Sequence, residues 1–60
     1  MSDEVRMRKL RHDLANPLSA MLAEVQLMLL DIDKYDAETQ TSLTEIEKLA
    51  IRMRTLLREP

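Results

Sequence analysis

The residues with the clearest chemical potential lie in one stretch, Leu10-Arg-His-Asp-Leu-Ala-Asn-Pro-Leu18. His12 is the only histidine of the chain. On a helix with Leu14 at the centre of the buried face, His12 and Asn16 each fall about 160° away, as outer-surface neighbours four residues apart. Asp13 falls at the boundary between the two faces. A neutral imidazole nitrogen is a competent nucleophile near neutral pH. A carboxylate beside it can hold the other ring N–H, orient the ring and take up its proton. An amide one turn on can orient a water for the reverse task, hydrolysis of a phosphorylated partner. The arrangement suits phosphoryl transfer, which depends mainly on positioning and charge stabilisation. Metal chemistry does not suit it, because a site needs three or four ligands and His12 has only Asp13 adjacent.

Pro17 adds a mechanical element. Without an N–H it leaves the carbonyl of Asp13 without its helical donor, and its ring crowds that carbonyl. A kink or loosened turn just after His12 is expected. A region that must change shape between two partner complexes would use such a turn.

These residues need a helix to position them, and the apolar spacing supplies one. Leu14, Leu18, Met21, Val25, Met28 and Ile32 step by four and three alternately, a heptad pattern, and Leu22 and Leu29 widen the stripe to what a bundle core needs. Asp31-Ile-Asp-Lys-Tyr-Asp36 breaks the pattern. Acidic residues are unfavourable at a helix C-terminus and favourable at an N-terminus, so Asp36 reads as the N-cap of a second helix with Glu38 in its first turn. Leu43, Ile46, Ala50, Met53 and Leu57 form the second stripe, flanked by Leu49 and Leu56. The chain reads as one all-α domain, 1–60: helix over about 3–32, turn over about 33–36, helix over about 37–58, fraying toward Pro60. The short connection makes it an antiparallel two-helix hairpin. Two helices leave part of each wide stripe uncovered, which predicts a homodimer, two hairpins forming a four-helix bundle.

Composition sets the outer bounds. Sixty residues bury little surface alone, so a partner is expected. With 45% apolar and 33% charged residues the chain suits amphipathic helices rather than disorder. Leucine and methionine far outnumber valine, isoleucine and aromatic residues. A net charge of −2 and the lack of helix-turn-helix spacing argue against nucleic acid as partner. The lack of cysteine excludes disulfides and fits the cytoplasm. No apolar run long enough for a membrane helix occurs, so no direct membrane contact is expected of these residues.

The stretch around His12 resembles the H-box of the dimerisation and phosphoacceptor domain of two-component sensor histidine kinases. That pattern is His, then Asp or Glu, Leu, any residue, Thr or Asn, Pro and Leu. His12, Asp13, Leu14, Asn16, Pro17 and Leu18 match it position by position, and the hairpin length and second helix look like the same domain. The resemblance implies that His12 is phosphorylated, that Asp13 assists as general base and that Asn16 positions water for phosphatase activity. It implies two further partners: a kinase ATP-binding domain, acting in cis or in trans, and the receiver domain of a response regulator, whose aspartate takes the phosphate. ATP and Mg2+ would be met only through those partner domains, with no cofactor held by this chain. The glycine-rich nucleotide box of such kinases has no counterpart in a chain without glycine. The chain is therefore either a domain of a larger kinase, including the cytoplasmic part of a membrane-bound sensor, or a stand-alone phosphotransfer or phosphatase-like protein. A non-enzymatic helical interaction module is the bland alternative.

The outer face beyond His12 carries Ser19, Ala20 and Ala23, then Leu27 and Leu30 off the heptad seam. Small residues ending in exposed leucines could accept a helix of the regulator. Arg8 and Lys9, one turn before His12, could attract an acidic receiver pocket or a nucleotide phosphate. Good helix formers and a solvated basic face would look the same.

Overall fold

A computed structural model describes residues 2–58. They form two helices, α1 (Asp3–Leu30) and α2 (Ala37–Arg58), joined by a single 3-10 turn over Ile32–Lys34. The elements are antiparallel, in a hairpin 49 Å long. The all-α hairpin expected from the heptads is therefore present; of the fraying expected from Arg58 to Pro60, Arg58 is still helical, and residues 59–60 lie outside the described residues.

The helix ends follow from local chemistry. Ser2 caps α1: its side-chain oxygen accepts from the Val5 N–H at 3.2 Å, and Asp3 and Glu4 stand in the first turn, where the helix dipole favours them. α1 ends at Leu30, two residues before the expected limit. No basic side chain occupies its last turn, and the Asp31 N–H turns back to the Met28 carbonyl at 3.2 Å. The Lys34 N–H then donates to Asp31 and the Tyr35 N–H to Ile32, which tightens the chain into the 3-10 turn and puts Ile32 there rather than in α1. Tyr35 is extended. Asp36 caps α2 as expected, its Oδ1 accepting from the Thr39 N–H at 2.8 Å. The Gln40 side-chain amide donates to the Tyr35 carbonyl at 2.8 Å. Among the described residues none has positive φ, which is why this turn works without glycine.

Packing corrects the expected centre of the buried face. Leu18 is 3% and Leu22 2% exposed, and with Leu43 and Ala50 they are the buried apolar residues. Leu57 packs against the cluster of Leu18, Leu22 and Ala50. The inner seam of α1 runs through Arg11, Ala15, Leu18, Leu22, Val25 and Leu29; that of α2 runs through Gln40, Leu43, Glu47, Ala50, Arg54 and Leu57. Both follow heptad spacing. Gln26 donates across the seam to Glu47 at 3.4 Å. Leu14, expected at the centre, is 48% exposed, and Leu10, Met21 and Met28 are exposed with it. Leu22 and Leu29, expected as flanks, lie on the seam. The reason is the width of the stripe: α2 covers only one edge of it.

The other edge forms a second apolar face, Leu10, Leu14, Met21 and Met28 on α1 and Ile46, Leu49, Met53 and Leu56 on α2, all exposed. A groove between the helices on this side is lined by Leu18, Met21, Ile46, Leu49, Ala50 and Met53.

Candidate functional site

Measured from the true seam, midway between Leu18 and Leu22, His12 lies about 100° and Asn16 about 140° around α1 in one sense, with Leu14 and Met21 about 60–80° around in the other. His12 is therefore nearly opposite the second apolar face. Its side chain is 75% exposed. The imidazole stands free in solvent because the residues at its angular position, toward Ser19, Ala23 and Leu30, have no helix over them.

α1 passes unbroken through Pro17. The proline still removes one N–H, so the carbonyl of Asp13 lacks its usual donor one turn on. The residue that flanks His12 is thus attached to the one backbone bond of this helix that proline chemistry forbids.

Asp13 is not at the boundary between faces. It lies on the outer surface, and its carboxylate is already engaged. Lys9 Nζ donates to Asp13 Oδ2 at 2.8 Å, while His12 Nδ1 is 4.0 Å from Asp13 Oδ1. The first distance is a charge-assisted hydrogen bond; the second is too long for one. The hydrogen bond from Lys9 outweighs desolvation and, with the charges of Lys9 and His12, holds the Asp13 carboxyl below the usual carboxylate range. The same hydrogen bond and the carboxylate charge raise the Lys9 ammonium above its ordinary value.

The Lys9 ammonium therefore has an intrachain partner while remaining largely exposed. The sequence signal was present: Lys and Asp four apart meet on a helix surface. Arg8 is exposed, and among the described residues no carboxylate lies within ion-pair distance of it. Asn16, Ser19, Ala20, Ala23, Leu27 and Leu30 are all exposed. Periodicity puts Asn16, Ser19, Ala23 and Leu30 on the His12 side, with Ala20 and Leu27 further round.

Charge is divided along the hairpin. Among the described residues the open end, where His12 lies, carries Arg6, Arg8, Lys9, Arg11, Arg52, Arg54 and Arg58 against Asp3, Glu4 and Asp13. The turn end carries Glu24, Asp31, Asp33, Asp36, Glu38, Glu45 and Glu47 against Lys34 and Lys48. The hairpin topology, by returning the C-terminal arginines of α2 to the level of His12, creates this polarity. Sequence order alone hides it.

Among the described residues no three His, Asp or Glu side chains gather as a metal site. Neither helix is long and apolar enough to cross a membrane. Compared with protein-family models, curated proteins and solved structures, the chain matches none.

Proposed function

We propose that this hairpin is the phosphoacceptor and dimerisation domain of a two-component sensor histidine kinase. The observation that carries the reading is the placement of His12: an exposed ring nearly opposite an uncovered apolar face. Two copies joined through that face bury Met21, Leu49 and Met53 and leave both imidazoles outside.

Pairing has a thermodynamic motive. Four buried side chains cannot offset the chain entropy of a hairpin of this length. The second face offers eight more. On α2 it runs from Ile46 to Leu56, while the heptad positions nearer the turn, Ser42 and Thr39, are polar. Pairing like ends brings Ile46, Leu49, Met53 and Leu56 of both copies to one level.

In this reading His12 attacks the γ-phosphorus of ATP held by a kinase ATP-binding domain. The new bond is nitrogen to phosphorus, the bond to the ADP oxygen breaks, and ADP leaves with that electron pair. The phosphoryl group then moves to an aspartate of a response-regulator receiver domain. Asp13 serves the ring N–H, and Asn16 orients water for dephosphorylation of the regulator. Ser19, Ala20, Ala23, Leu27 and Leu30 form the docking strip for a regulator helix, and Arg8 favours its acidic pocket. ATP and Mg2+ belong to the partner domains, and the setting is the cytoplasm, where ATP is available.

The test is incubation of the chain with a kinase ATP-binding domain and radiolabelled ATP. Acid-labile label on the wild type that vanishes in His12→Gln is expected. Label that persists in His12→Gln would overturn the reading.

A further inference from the structure

Asp13 has two claimants. Lys9 holds its carboxylate at 2.8 Å, and His12 Nδ1 waits at 4.0 Å. In the phosphoacceptor reading, on which this inference rests, that carboxylate should accept from Nδ1–H, which leaves Nε2 unprotonated and nucleophilic. In the structure it does not. We propose that Lys9 is a positioning residue that keeps the Asp13 carboxylate in a resting orientation, and that an incoming phosphate group releases it to His12 by taking over the Lys9 ammonium.

The magnitudes permit such an exchange. An exposed ion pair four residues apart on a helix is weak and screened by salt. A phosphate dianion at His12 offers Lys9 more charge than one carboxylate does. Lys9 also stands close enough to serve both, about 4.5 Å along the helix axis from His12. The carboxylate, once free, needs only a side-chain rotation to close the remaining gap to Nδ1. The device couples arrival of the phosphoryl group to preparation of the nucleophile. When a small donor such as phosphoramidate reacts, Nε2 bonds to phosphorus, the phosphorus–nitrogen bond of the donor breaks, and ammonia leaves with its electron pair. The Nδ1 proton passes to the Asp13 carboxylate and on to water.

A sole histidine makes the test direct, because nitrogen-15 NMR of the full chain reports one ring. It is recorded where the ring is neutral, for the wild type, Lys9→Met, Lys9→Arg and Lys9→Met with Asp13→Asn. Lys9→Met should raise the ratio of the Nδ1–H to the Nε2–H tautomer roughly 2–3-fold, the size expected of an exposed pair. Lys9→Arg should match the wild type, and the double variant should fall back to it. Inorganic phosphate, at matched ionic strength, should move the wild type toward the Lys9→Met ratio and leave Lys9→Met unmoved. Labelling of His12 by phosphoramidate should rise by a similar factor in Lys9→Met. An unchanged tautomer ratio in Lys9→Met overturns the positioning role, and a wild type indifferent to phosphate overturns the release. A tautomer shift without phosphorylation of His12 in any variant upholds Lys9 as a positioning residue and overturns the phosphoacceptor reading instead.

Discussion

Met21 and Leu22 are neighbours in sequence with opposite environments: Met21 is 58% exposed and Leu22 2%. Each belongs to a run of apolar residues at heptad spacing. Leu22 faces α2 and closes the hairpin. Met21 faces a groove that it shares with Ile46, Leu49 and Met53. α1 thus has two apolar edges, one covered by α2 and one exposed. His12 lies on the third side, away from both.

The contrast can be broken first at the inner seam. Leu22→Ala removes the most buried side chain among the described residues and should cost about 2–5 kcal/mol. In a hairpin with so few buried residues this abolishes the helical signal in circular dichroism at room temperature. Met21→Ala should leave the signal of the hairpin far less affected at high protein concentration.

The second face is broken next. Leu49→Glu with Met53→Glu puts two carboxylates where the account buries two apolar side chains. Self-association, measured by analytical ultracentrifugation, should weaken by roughly a hundredfold or more. A double variant that associates as tightly as the wild type would remove this face from the dimer.

The third side responds differently. His12→Gln replaces an exposed side chain with no hydrogen bond in the hairpin, and its stability should stay within about 0.5 kcal/mol of the wild type. A larger loss in chemical denaturation would mean that the ring packs against something in the assembled protein.

The smallest effect is at the turn. Hydrogen bonds from Thr39, side chain before backbone, hold the Asp36 carboxyl below its ordinary value of 3.8. A depressed carboxyl contributes stability that is present above its unfolded pKa and is lost as pH falls through the lower folded value. The thermal midpoint should therefore decline below about pH 4 by a small amount that Asp36→Asn, which still caps but does not titrate, lacks. Equal acid profiles for the two chains would show that the cap makes no pH-dependent contribution.

Much of the fold was legible in residues alone. The hairpin, the region of the turn and the Asp36 cap follow from heptads, acidic residues at a helix end and a short connection. The exposure of His12 was legible too, because it stands far from the heptad stripe. The seam was not. A stripe that includes Leu14, Leu18, Met21, Leu22, Val25 and Met28 shows how wide the apolar face is, but periodicity does not say which edge meets α2. That choice belongs to tertiary packing. The Lys9–Asp13 pair was legible as a spacing, yet an exposed lysine near a histidine reads equally as a docking charge, and only geometry separates the two. The cationic open end needed the topology, since Arg52, Arg54 and Arg58 approach His12 only after the chain reverses.

The proposal that His12 carries phosphate is tested most directly by phosphorus-31 NMR of the chain after incubation with a kinase ATP-binding domain, Mg2+ and ATP. One phosphohistidine resonance that acid removes is expected. A resonance that survives acid, or a chain that gains none, would contradict the proposal.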